Sequence, residues 1–234
     1  VTGGSAGIGL AICQAFLTAG YDVVSLARQP TTLTHARLRS IVVDLSDEAA
    51  TREAALEATC DPLTTIVHNA GVIRPAMLDT AKASDLSELS RLHLGAALAL
   101  VPAALPAMRA ARFGRIILLS SRAALGLATR SAYSATKAGL IGLARTWALE
   151  LGPDGITVNS VAPGPIAGTA MFHDVLPLGD PRIEALAQNI PVRRLGQPED
   201  VARAVMFFAD PASSFITGQT LFVCGGSSVG GLSL

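Results

Sequence analysis

The sequence predicts an α/β fold: one doubly wound domain, a parallel sheet with helices on both faces. Three observations predict it. Short apolar runs alternate with helical patterns from end to end, as strands joined by crossover helices do. A glycine-rich turn, Thr2 to Gly9, runs straight into an amphipathic segment. The 234 residues also suit a single large domain spanning 1–234, because no linker, repeat or composition shift divides them.

The elements follow in order. The turn leads into a helix near Ile8–Ala19, then strands at Val23–Ala27 and Ser40–Val43. A helix over Asp47–Thr59 follows the Ser46-Asp47-Glu48 run, and a strand at Thr65–His68 comes next. The long helical pattern Ala83–Ala111 precedes a strand at Arg115–Leu119, and Ser131–Leu151 is helical. Thr157–Ala162 is a strand, Pro198–Ala209 a helix and Thr220–Val223 the last strand. Right-handed crossovers then give the doubly wound sheet. Val1 stands directly before the glycine-rich turn, where a strand is expected, so about one strand's worth of residues is expected to precede it.

Composition narrows the function. Eighteen basic residues balance eighteen acidic ones, which argues against a nucleic-acid or anionic-membrane partner. Cys13, Cys60 and Cys224 are widely spaced and the four histidines scattered, so neither a disulfide framework nor a metal site is expected. That cysteine usage fits a cytoplasmic protein. Leu92 to Met108 carries no Asp, Glu, Lys or Arg, but it is slightly short for a span and holds two prolines. It reads as a buried helix. This stretch and Ser131–Leu151 are apolar all round, more than one sheet face needs, which predicts a homo-oligomer, a dimer or tetramer, built on them.

The chemistry sits in short segments. A pyrophosphate needs backbone N–H groups with no side chain in the way and the positive end of a helix. Gly3, Gly7 and Gly9 supply that approach, with Ser5 and Ile8 in the same turn. Tyr133 and Lys137 stand four apart in a helical segment, so they share a face. An ammonium beside a phenol lowers its pKa from about 10, which suits it to exchange protons with a carbonyl oxygen.

Together these segments resemble the short-chain dehydrogenase/reductase family over nearly the whole chain. The resemblance rests on Thr2 to Gly9, Asp44, Asn69-Ala70-Gly71, Tyr133-Ser134-Ala135-Thr136-Lys137, Asn159 to Gly164 and Phe222 to Gly226. It implies a Rossmann-like fold and reversible hydride transfer between a nicotinamide dinucleotide and a carbonyl or secondary alcohol. Tyr133 would be the acid/base and Lys137 would hold the nicotinamide ribose. A 3-oxoacyl thioester is the nearest named substrate, with small ketones close behind. Asp44 and Leu45 resemble the adenine-contacting pair, and Asn69, Ala70 and Gly71 the residues beside the ribose. Pro163, Gly164 and Ile166 are placed against the nicotinamide, and Thr169 resembles a carboxamide contact, shifted by the extra Gly168.

Three points depart from the family pattern or stay open within it. Ala27 stands where an Asp would grip the adenosine ribose, and Arg28 follows it, so NADP(H) is expected over NAD(H). The serine that polarises the carbonyl is Ser121 counted along its strand, or Ser120 counted back from Tyr133; Ser121 is chosen, because loops absorb deletions more readily than strands do. His93 stands where the family has an Asn that positions water for a proton relay, and His68 replaces a second Asn. His93 is either a relay member or a satisfied helix histidine. A lid is expected over about 167–197, with Arg122, Leu125, Ile166, Met171, Phe172 and His173 facing substrate. A dinucleotide-sensing or scaffolding protein without turnover is the second reading, disfavoured because both Tyr133 and Lys137 are present.

Overall fold

The computed structural model describes residues 1–229. Among the described residues, six parallel strands form the sheet: β1 Val23–Ala27, β2 Leu38–Val42, β3 Thr65–His68, β4 Gly114–Leu119, β5 Ile156–Pro163 and β6 Thr220–Val223. They run in the order β2-β1 and β3-β4-β5-β6. Thr2 lies between the two groups, bridging Leu26 of β1 and His68 of β3. The glycine-rich turn therefore leaves the middle of the sheet, at the point where the strand order reverses.

Alternation along β4 decides the two faces. Ile117 and Leu119 pack with Ile12 and Phe16 of α1 (Gly7–Thr18) and Val205 and Phe208 of α8 (Pro198–Ala209). Ile116 and Leu118 turn the other way, onto Val101 and Met108 of α4 (Ala96–Ala111) and Leu140 of α5 (Ser131–Leu151). The helix α2 (Glu48–Ala58) covers β1 and β2 through Ala54 and Ala58.

The predicted long helix is present as one rod, Ala83–Ala111, made of α3 (Ala83–Ser90), a π turn at Arg91–Gly95 and α4. The rod is long and apolar enough to cross a membrane by composition alone. Here one face, Ala97, Val101, Ala104 and Met108, is buried against the sheet, while only 33% of the apolar stretch is buried, less than the reading of a buried helix expects. A cavity of about 850 Å³ lies away from the site, along the lane of Thr2 at the amino ends of β1 and β3, lined in part by Val23, Thr65 and Val67. The motifs gather at the opposite, carboxyl edge.

Candidate active site

The glycine-rich turn is a cradle that side chains would fill. Gly3 and Gly7 hold φ of +67° and +53°, which other residues adopt with strain. A Cβ on Gly9 would stand 2.0 Å from the Gly3 carbonyl oxygen. Ala6 caps α1 with no side-chain hydrogen bond, so the first amides of the helix face the turn without a side-chain partner. Asn69 ties the turn to β3, donating from Nδ2 to Thr2 O at 3.1 Å and Gly3 O at 3.4 Å. These residues fit a pyrophosphate-bearing dinucleotide, whose nicotinamide would supply or accept the hydride.

Around the cradle, Ala27 is buried at the end of β1 and Arg28 is exposed beyond it. Asp44 accepts from Ser46 N at 2.9 Å and Ser46 Oγ at 2.7 Å. Those two bonds, with Arg28 nearby, hold its carboxyl below the usual range. It does not cap α2; Asp47 does, accepting from Ala50 N at 3.0 Å. The Leu45 side chain is buried with Leu26 and Ile41, which leaves only its backbone for a ligand. Gly164 packs so closely that a Cβ would stand 2.8 Å from the Cα of Cys224, and Ile166 is buried beside it.

The catalytic candidates come from the end of β4 and the first turns of α5. Ser120 and Ser121 separate cleanly. Ser120 is buried and donates to the Lys137 carbonyl at 2.7 Å, which spends its hydroxyl on holding α5 to β4. Ser121 Oγ accepts from Ala123 N at 3.1 Å, keeping its own proton to donate, and it interacts with the Tyr133 hydroxyl. Ser121→Ala should lower turnover about 100-fold. Ser120→Ala should keep turnover within a few-fold and lower stability by roughly 1 kcal/mol. Steady-state kinetics and urea melts of both variants check this; near-normal turnover in Ser121→Ala contradicts it.

Lys137 is buried and donates from Nζ to Leu119 O at 2.7 Å, with Nζ 5.6 Å from the Tyr133 ring centre. Burial holds its pKa down to about 7. The lowered pKa expected for Tyr133 is that of a phenol with both the lysine and an oxidised nicotinamide beside it; in the polypeptide alone the Tyr133 shift is upward. Burial raises its pKa, and the Ser121 hydroxyl and Arg130 only partly offset that. Burial penalises both charged forms, so the ammonium that was expected to assist is itself weakened. A phenol held protonated has the right sign for a proton donor.

His93 sits in the π turn, fully buried, edge-on to Tyr133 with ring centres 5.7 Å apart. Its Nδ1 meets Thr136 Oγ1 at 2.9 Å, and Val72 N donates to its Nε2 at 3.2 Å. No ring nitrogen is left for Lys137.

The segment expected to be a lid holds α6 (Ala170–His173) and α7 (Arg182–Asn189). Thr169 caps α6, and a Cβ on Gly7 would stand 3.2 Å from its methyl, so this segment starts beside the cradle. Met171 Sδ lies 4.0 Å from the Tyr133 hydroxyl, and Phe172 is half-buried next to it. His173 Nδ1 meets Leu176 O at 3.2 Å, within the same segment. Arg122 donates to the carbonyl of Ser227 at 3.2 Å, and Leu125 is exposed. Sequence reasoning missed Thr2, Thr136 and Arg130. Arg130 is the residue that precedes α5, outside its helical backbone, so helix spacing gave no signal for it.

A pyrophosphate cradle opening onto a serine, a protonated phenol and a buried lysine defines an oxidoreductase that exchanges hydride between a nicotinamide and a carbonyl or alcohol. The chain belongs to the short-chain dehydrogenase/reductase family: a family model described as enoyl-(acyl carrier protein) reductase matches residues 3–228. It is 36% identical over 240 residues to a 3-oxoacyl-[acyl-carrier-protein] reductase of Synechocystis sp., covering 97% of this chain and 94% of that one. It is 37% identical over 236 residues to an acetoacetyl-CoA reductase of Rhizobium meliloti, covering 97% and 96%. Among solved structures, a putative NAD(P)-dependent gluconate 5-dehydrogenase from Beutenbergia cavernae with bound NADP superimposes with a TM-score of 0.88. That match has 31% identity and covers 98% of this chain and 96% of that one.

Proposed function

We propose that this enzyme reduces a 3-oxoacyl thioester with NADPH. The observation that carries the reading is the Ser121 hydroxyl beside the Tyr133 phenol, with the Lys137 ammonium 5.6 Å from the Tyr133 ring centre. Ser121 donates a hydrogen bond to the substrate carbonyl oxygen, which steadies charge as the carbon is reduced. Tyr133 then gives its proton to that oxygen, leaving a hydroxyl. Lys137 orients the nicotinamide ribose and, once protonated, stabilises the phenolate that Tyr133 becomes. Two relatives named for acyl-thioester reduction support the substrate class. The lid's Met171 and Phe172 supply apolar walls for an acyl chain. The test is NADPH oxidation with acetoacetyl-CoA against simple ketones and sugars; faster turnover of the sugars contradicts the substrate class.

The same reading extends to preference and assembly. Ala27 offers no carboxylate to repel a 2′-phosphate, and the exposed Arg28 guanidinium is free to pair with one. Arg28→Ala should raise the KM for NADPH about tenfold and leave that for NADH unchanged. A parent enzyme that prefers NADH contradicts this. The Asn69–Gly71 segment, Asp44, Pro163, Gly164, Ile166 and Thr169 complete the nucleotide site. Leu98 on α4 and Leu149 on α5 stand 52% and 81% exposed, which supports a homotetramer joined through those helices, and the free Cys13, Cys60 and Cys224 support a reducing, cytoplasmic setting.

A further inference from the structure

Two buried imidazoles lie between the glycine-rich turn and the catalytic helix, and neither takes part in the reaction derived above. His68 is 1% exposed and His93 0%. Each ring has one nitrogen whose partner fixes the proton and one that faces a threonine hydroxyl. The Nε2 of His93 faces the amide of Val72, which only donates, so that nitrogen is bare and Nδ1 carries the hydrogen. Nδ1–H then donates to Thr136 Oγ1 at 2.9 Å, and Thr136 donates to the Tyr133 carbonyl at 3.0 Å.

For His68 the order is reversed. Its Nε2 faces the His93 carbonyl at 3.0 Å, which only accepts, so Nε2 carries the hydrogen. Its Nδ1 therefore accepts from Thr2 Oγ1 at 3.1 Å. Thr2 Oγ1 in turn accepts from the amides of Asn69 and Ala70, both at 2.9 Å. Hydrogen bonds thus run from the cofactor loops through the His68 ring to the His93 carbonyl, and from the His93 ring through Thr136 to the Tyr133 carbonyl, with His93 itself joining the two runs. Gly71 leaves room for it: a Cβ there would stand 2.9 Å from His93 Nε2 and 3.4 Å from Lys137 Nζ.

We infer that His93 is a positioning residue for Tyr133, acting through Thr136, and that His68 locks His93 in place, the two rings held in opposite neutral tautomers. A proton relay through His93 would have to break the Val72 or the Thr136 bond at each passage. Burial and the Lys137 charge oppose protonation as well, holding His93 at about 2 and His68 at about 4. The inference rests on the proposed reductase only for its kinetic arm.

The test pairs substitutions with a spectroscopic readout. His93→Asn places an amide donor near Nδ1 and keeps the Thr136 bond; His93→Gln places its polar end near Nε2 and serves Val72 instead. His93→Asn should keep kcat within about threefold, and His93→Gln should lose about tenfold or more, with the dissociation constant for NADP⁺ little changed in either. Equal kcat in the two variants, or a loss confined to NADP⁺ binding, overturns the positioning role. Imidazole ¹⁵N spectra of the parent protein, free and with NADP⁺, should show the two opposite tautomers and no titration between pH 5 and 9. A ring that titrates or exchanges tautomer in that window overturns the lock. If the parent reduces no carbonyl offered, the reductase reading fails while the spectra still decide the lock.

Discussion

Tyr133→Phe is expected to lower kcat for carbonyl reduction about 1,000-fold while leaving the dissociation constant for NADPH within about threefold. The phenol is buried, its hydroxyl interacts with Ser121, and burial raises its pKa, so it waits as a proton donor. Removing one oxygen deletes the donor and leaves the ring, its edge-on contact with His93 and the glycine cradle in place. Binding and turnover should therefore separate. Stopped-flow reduction at saturating NADPH, with calorimetric titration of the nucleotide, reads both quantities on one preparation. Turnover in the variant equal to that of the parent would remove Tyr133 from the chemistry.

Gly9→Ala should act on the other half of the site. A methyl there stands 2.0 Å from the Gly3 oxygen and 2.7 Å from Asn69 Nδ2, both part of the cradle. The turn must open, which displaces the amides that meet the pyrophosphate and breaks the Asn69 tie to Thr2 and Gly3. NADPH affinity should fall about 100-fold or more, because oriented donors lose their value within about an ångström. Gly142→Ala is the control: it lies in α5 with nothing within 4 Å of the new methyl. That change should leave binding untouched and stabilise the helix by about 0.5–1 kcal/mol. Equal nucleotide affinity in the two variants would contradict the role given to the turn.

Much of the fold was legible because burial and period coincide. The strands Val23–Ala27, Thr65–His68 and Thr220–Val223 and the helices Ser131–Leu151 and Pro198–Ala209 agree with the sequence reading at both ends. The second strand starts at Leu38 and not Ser40, since it is an edge strand whose limit is set by pairing, Val23 opposite Leu38. No apolar pattern announces that register. The π turn at Arg91–Gly95 was invisible for a similar reason: one extra residue per turn over five residues changes no visible period. Its position around His93 is where such turns tend to fall, at functional sites.

The site was legible to the extent that its chemistry is local. The Gly3–Gly9 turn and the Tyr133–Lys137 spacing lie within single elements, where spacing implies a shared face. Ser120 and Ser121 could not be separated by counting. The structure distinguishes them by partner, the carbonyl of Lys137 for one and the Ala123 amide and the phenol for the other. The histidine chain joins Thr2, His68, His93 and Thr136 across gaps of 66, 25 and 43 residues, which no local pattern encodes. The weakened charge on Lys137 was equally hidden, because depth of burial is a property of the folded whole.

Isotope tracing tests the central claim most directly. NADPH carrying deuterium at the transferable position of nicotinamide C4 is incubated with the enzyme and acetoacetyl-CoA, and the product is analysed by mass spectrometry and NMR. The account predicts a 3-hydroxy product with deuterium on the carbinol carbon and its hydroxyl proton drawn from solvent by way of Tyr133. Label left wholly on the nucleotide, with no hydroxy product from any carbonyl offered, would contradict it.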